Sequence, residues 1–160
     1  MIKISKHSGI YSLRVTQELE VSMEEAWDFF SSPSNLEKIT PKEMGFKITG
    51  EKPVKMYEGQ IISYRVGILP GIRSNWITEI SHVDYHKMFV DEQRFGPYSM
   101  WHHEHHFEEK NGKILMTDKV FYKVPLGIIG RLFHPLIVGP KLKSIFSHRE
   151  EIINEYFKNK

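Results

Sequence analysis

WHHEHHFEEKNGKILMTDKVFYKV, residues Trp101 to Val124, consists of two strand-length segments around Asn111-Gly112. A two-residue type I′ turn needs positive φ at both positions, and Asn-Gly is the pair that accepts it most readily. Residues paired across such a hairpin have numbers summing to 223, so Phe107 faces Met116, His105 faces Asp118, His103 faces Val120 and Trp101 faces Tyr122. Side-chain parity agrees independently. Trp101, His103, His105 and Phe107 form the more apolar face of the first segment, and Met116, Asp118, Val120, Tyr122 and Val124 that of the second. An inward carboxylate requires a partner, and opposed residues have Cβ atoms about 5 Å apart, so Asp118 is expected to bond His105 with His103 close by.

The same grammar extends upstream. Gln60 to Leu69, Ile72 to Val83, Lys87 to Phe95 and Ser99 to Glu108 are further strand-length segments separated by Gly, Pro or Asn, which reads as an antiparallel meander. A three-residue loop at Gly96-Pro97-Tyr98 sets His103 beside Asp91 and Trp101 beside Gln93. Near the N-terminus, Tyr11 to Val21 alternates apolar odd with polar even positions and predicts a half-buried strand. Ser22-Met23-Glu24-Glu25 has capping-box spacing, so a short helix carrying Ala26, Trp27, Phe29 and Phe30 begins there and stops at Pro33. A second helical turn over Asn35 to Thr40 and a brief strand over Phe46 to Glu51 follow. At the other end, Pro140 suits a first helical turn, and Leu142, Ile145, Phe146, Ile153, Tyr156 and Phe157 share a face of a long amphipathic helix. Gly127 to Val138 predicts a shorter helix interrupted near Pro135 and Gly139. The layout is α+β, with one sheet covering one helix.

This order resembles the helix-grip fold of the START and birch-pollen-allergen superfamily, also called SRPBCC, over nearly the whole chain. The residues Asn35-Leu36, Ile39-Thr40-Pro41, Met44-Gly45-Phe46, Leu69-Pro70-Gly71, Asp91-Glu92-Gln93, Gly96-Pro97-Tyr98 and Trp101-His102-His103-Glu104-His105 look like the bacterial ligand-binding SRPBCC group. Pro125-Leu126-Gly127 and Phe146-Ser147-His148-Arg149 add to the likeness. The resemblance implies a curved antiparallel sheet of six to seven strands wrapped around the C-terminal helix, two short helices after the first strand, and an internal cavity for a ligand.

The composition bounds the function. The chain has 160 residues with 22 Lys and Arg against 20 Asp and Glu, a net charge of +2 that argues against a dedicated nucleic-acid binder. That length suits one domain over residues 1–160. A 40% hydrophobic content excludes a disordered chain, and a mean hydropathy of -0.39 excludes a membrane-embedded one. Without cysteine there is no disulfide, thiolate metal site or cysteine nucleophile, and a cytoplasmic protein is expected. Dinucleotide, P-loop and serine-hydrolase motifs are missing.

Three readings of the inward groups stay open. His103, His105 and Asp118 form a satisfied core network, or they are the polar end of a pocket walled by Tyr64, Trp76, Trp101 and Tyr122, or they perform acid/base chemistry. The binding candidates are Tyr64, Trp76, Asp91, Gln93, Trp101, His103, His105, Tyr122 and Arg149, and the catalytic candidates His105, Asp118 and His103. The expected ligand is an apolar or aromatic small molecule. The enzymatic alternative, implied by the resemblance, is a cofactor-free cyclase or dehydratase acting on a carbonyl compound. No metal is expected, because no second-shell plan is visible in the sequence. His102 and His106 are expected in solvent, and Arg149 is expected to snorkel from the helix stripe rather than reach Asp118. The apolar segment before Pro140, with Lys141 and Lys143 after it, suits core packing better than membrane contact.

Overall fold

The computed structural model describes residues 2–50, 55–69 and 71–159. Glu51, the last residue of one expected strand, and Pro70 of the Leu69-Pro70-Gly71 motif lie outside them. Eight antiparallel strands form one sheet: β1 (Lys3–His7), β2 (Ile10–Leu19), β3 (Lys47–Ile48), β4 (Ile61–Leu69), β5 (Ile72–Asp84), β6 (Met88–Phe95), β7 (Met100–Lys110) and β8 (Lys113–Lys123). Their order is β1-β2-β8-β7-β6-β5-β4-β3. The count is eight rather than six or seven. The strand missed by alternation is β1, which pairs with β2 through Ser8-Gly9, both at positive φ.

Asn111 and Gly112 have φ of 53° and 74°, and the hairpin they close pairs His105 with Asp118, His103 with Val120 and Trp101 with Tyr122. β6 pairs with β7 so that Asp91 faces His103. Two register shifts between β5 and β6, at Ile77/Thr78 and Ile80/His82, add local twist and help the sheet curve.

Between β2 and β3 lie α1 (Met23–Phe30) and α2 (Pro33–Ile39). The Ser22 hydroxyl accepts the Glu25 N–H and the Glu25 carboxylate accepts the Ser22 N–H, the reciprocal cap anticipated from spacing. After β8 the chain is helical from Gly127 to Lys158: α3 (Gly127–Phe133), a π-helical turn over His134–Val138, and α4 (Gly139–Lys158). The interruption expected near Pro135 is therefore a widened turn instead of a break, which tolerates the missing N–H. Among the described residues, no helix is long and apolar enough to cross a membrane.

α4 packs into the sheet. Gln17 of β2 donates its amide to Glu150 O and Asn154 Oδ1, both at 2.9 Å, fixing the helix along the strand. The core splits into two apolar clusters, one including Trp27, Phe89, Phe107, Met116 and Ile153, the other Leu13, Val120, Tyr122, Leu142 and Phe146. Each fully buried large apolar side chain contributes about 1.5–3 kcal/mol. Along β7 and β8 the inward residues run from one cluster to the other, and His103, His105 and Asp118 stand between them.

Candidate functional site

A cavity of about 580 Å³ lies between the sheet and the helices. Its walls include Tyr64, Trp76, Phe89, Trp101 and Phe146, and its polar groups include Asp91, His103, His105 and Arg149. Register puts these groups together: β6 brings Asp91, alternate positions of β7 bring His103 and His105, and β8 brings Asp118 behind them. Arg149 arrives from α4 and is buried.

The contacts are mutual. His103 Nε2 lies 2.9 Å from Asp118 Oδ1, and His105 Nδ1 lies 3.0 Å from the same oxygen. His105 Nε2 lies 2.8 Å and His103 Nδ1 3.3 Å from Asp91 Oδ2. Arg149 Nη2 stands 3.3 Å from Asp118 Oδ1 and 3.5 Å from His105 Nδ1. The imidazoles are tilted at 35° with centroids 3.8 Å apart, and Phe89 stacks on His105 at 4.0 Å.

These distances order the protonation states. Burial opposes ionisation of Asp118, but Arg149 and the two histidines outweigh it and hold the carboxyl well below its usual range. Asp91 is likewise lowered, its burial outweighed by both imidazoles and Arg149. Burial works against a charged His105, yet its contacts with Asp118 and Asp91 raise its pKa. His103 goes the other way, lowered by burial and by the charge of His105. The contacts thus favour the charged forms of Asp118, Asp91 and His105 and oppose the charged form of His103.

Two donors at the cavity remain unused. Trp76 Nε1 and Arg149 Nε are buried and have no hydrogen-bond partner among the described residues. Tyr64 is committed, its hydroxyl 2.9 Å from Thr78 Oγ1. Asp91, His103 and His105 also offer one ligand atom each, all within 4.8 Å of one another, a donor set of the kind that holds zinc or ferrous iron. Asp118, bonded to the far nitrogens, has the place of a second shell that the sequence did not reveal.

The structure departs from the sequence reading at several residues. The expected Asp118–His105 contact is present at 3.0 Å, but the same oxygen also takes His103 at 2.9 Å, so one oxygen serves both rings. Asp118 lies behind the histidines instead of lining the cavity. Arg149 turns inward rather than snorkelling, since the carboxylate of Asp118 offers it a counter-charge in the core. Gln93 does not line the cavity. Its amide bonds the Tyr98 N–H and C=O and closes the loop after β6, and the paired ladder stops at Glu92 and His102, short of Trp101. Tyr122 is fully buried outside the lining, with its hydroxyl 2.7 Å from His134 Nε2. His102 and His106 are half-buried on the outer face, paired with Glu92 and Glu104. Phe89 lines the cavity as well, and its parity with Asp91 on β6 is the sequence signal that aims both there.

No family model matches the sequence, and no curated protein matches it. Solved structures do. A START superfamily protein from Mycobacterium smegmatis aligns over 91% of this chain and 98% of its own, with TM-score 0.64 and 14% identity. Ginseng major latex-like protein 151 from Panax ginseng aligns over 94% and 99%, with TM-score 0.66 and 14% identity. Protein CV1439 from Chromobacterium violaceum aligns over 91% and 96%, with TM-score 0.69 and 11% identity. The chain has an SRPBCC-type, helix-grip fold. At these identities the likeness concerns backbone, and the charged belt across the helix grip is read from this chain's own residues.

Proposed function

We propose that the helix-grip cavity binds a mainly apolar small molecule whose polar end carries a hydrogen-bond acceptor. The observation that carries this reading is the cavity itself. It is walled by aromatic and aliphatic side chains, with unspent donors on Trp76 and Arg149. Such a chamber rewards apolar area and fixes orientation by a few polar contacts. The START and major latex-like neighbours support a ligand-binding use of the fold. Trp101 supplies wall, its ring 5.3 Å from Trp76 and 4.9 Å from Tyr98. Trp101→Ala should weaken binding of anilinonaphthalene sulfonate, or of a copurifying ligand seen by native mass spectrometry, by about tenfold or more. Unchanged affinity would remove the aromatic wall from the reading.

A second reading, acid/base catalysis on a carbonyl compound, is favoured by one observation: His105 Nε2 and the carboxylate of Asp91 meet at the cavity surface, 2.8 Å apart. Its test is product formation from a library of cyclisable and dehydratable carbonyl compounds. Asp118→Asn should abolish most turnover if the pair moves protons. A wild type that binds such compounds and leaves them unchanged would dismiss catalysis.

A further inference from the structure

The segment that closes the cavity carries a second surface. From Pro125 to Ile137 every residue is exposed except Gly130 and His134, and nine of the thirteen are Leu, Ile, Phe or Pro on the solvent side. Ile128, Leu132 and Leu136, spaced four apart, are 69%, 67% and 73% exposed and stand outside the cavity lining. Ile129, Phe133 and Ile137, one position on, line the cavity yet remain 58%, 53% and 41% exposed. One helical face is therefore an outer apolar row, and the next opens the ligand chamber to it. Scattered exposed leucines need no explanation, whereas a continuous row of this length marks a contact surface. The expectation that this segment fills the core is overturned: α3 rests on the body through few residues. A side chain at Gly130 would collide with the Pro125 carbonyl, and His134 stacks on Tyr11 at 3.6 Å while bonding Tyr122.

The charge around the row selects the occupant. Between Asp118 and Glu150 the sequence contains no Asp or Glu, and six Lys or Arg lie in that interval. Lys119 bonds Glu104 and Arg149 is buried in the site, leaving Lys123, Arg131, Lys141 and Lys143 without an ion pair among the described residues. An apolar helix face whose own stretch of chain carries cations and no carboxylate is complementary to an anionic lipid surface. Its leucines and isoleucines enter the acyl boundary while its cations meet headgroups.

We propose that α3 and the turn after it dock the protein onto an anionic membrane surface, apposing the cavity to the bilayer. The partner rests on the ligand-binding reading in one respect, that an apolar ligand gains a dry route between lipid and cavity. The docking itself does not need it. The experiment is co-sedimentation of the full chain with vesicles of phosphatidylcholine alone and with phosphatidylglycerol mixed in. The wild type should pellet with the acidic vesicles, release as salt rises, and pellet far less with neutral ones. The double variant Leu132→Asp, Leu136→Asp should bind acidic vesicles about tenfold or more weakly. It should keep its affinity for anilinonaphthalene sulfonate in solution, because neither residue lines the cavity. That retained affinity also reports an intact fold. Arg131→Glu with Lys143→Glu should lose the preference for acidic vesicles. A wild type that ignores acidic vesicles, or a double variant that binds them undiminished, overturns the proposal. So does a wild-type dimer that Leu132→Asp, Leu136→Asp converts to monomer without vesicle binding, which assigns the face to a second copy. Vesicle binding without dye binding leaves docking standing and removes the ligand-binding reading instead.

Discussion

Asp118 is the residue on which the charged belt depends, since one of its oxygens serves His103, His105 and Arg149 together. Its folded pKa lies below the ordinary 3.8, so its stabilisation is present above that value and fades as pH falls through the folded one. His105 has the opposite sign. Its pKa is raised above 6.5, so its contribution is full below 6.5 and fades as pH climbs through the folded value. The two overlap between about pH 4 and 6.5. Asp118→Asn removes a charged hydrogen-bond acceptor and should cost about 1.5–3 kcal/mol, more at about pH 5.5 than at about pH 8.5, because the variant loses the carboxylate that keeps His105 protonated. Urea unfolding at both pH values measures it, and an equal loss at each would contradict the assignment of charge to His105. The pairing of His105 with Asp118 could be read in the sequence because Asn111-Gly112 leaves little freedom of register. The sharing of one oxygen by two rings could not, since it depends on rotamers. The inward turn of Arg149 is hidden from the sequence for a related reason: a helical wheel shows that it interrupts the apolar stripe, and only the sheet opposite shows what it meets.

Among the elements, β-strands with alternating polarity and the capped α1 were legible because each carries its own signal, a period of two or an S-x-x-E box. β1 lacked one. Lys3-Ile4-Ser5-Lys6-His7 has a single large apolar residue and pairs along the outer edge of β2, so burial imposes no alternation on it. α3 carried a misleading signal, since an apolar stretch ordinarily reports burial and here reports exposure. Its attachment to the body has few points, and His134 is central: stacked on Tyr11, bonded to Tyr122, and kept neutral by burial and by the nearby Lys6. His134→Ala removes both the stack and the bond. It should raise hydrogen exchange of the amides from 127 to 138 by about tenfold or more, with the β7 and β8 amides little changed. Uniform loss of protection across the sheet would mean that His134 supports the global fold instead of holding one element.

At the level of the whole molecule, a curved sheet closed by one long helix leaves a chamber of about 580 Å³ that its own side chains do not fill, beside a core of two apolar clusters with the charged groups between them. That arrangement forgoes packing, because side chains facing a void lack the dispersion contacts they would make with neighbours. Occupation by a ligand restores those contacts in the folded state alone, so stability is linked to ligand concentration. At a free ligand concentration of about 100 Kd the linkage amounts to about 2.7 kcal/mol. For a chain of this length each kcal/mol moves the Tm by about 2–4 °C, which gives a rise of about 5–10 °C. The measurement is thermal unfolding with increasing anilinonaphthalene sulfonate, followed by circular dichroism so that the dye's own emission does not intrude. Trp101→Ala should show a smaller rise at equal dye, having lost wall, whereas Leu132→Asp with Leu136→Asp should rise as the wild type does, having lost only outer surface. A Tm that stays fixed while dye binds would locate the dye in the unfolded chain as much as the folded one, and the internal chamber would no longer be its site.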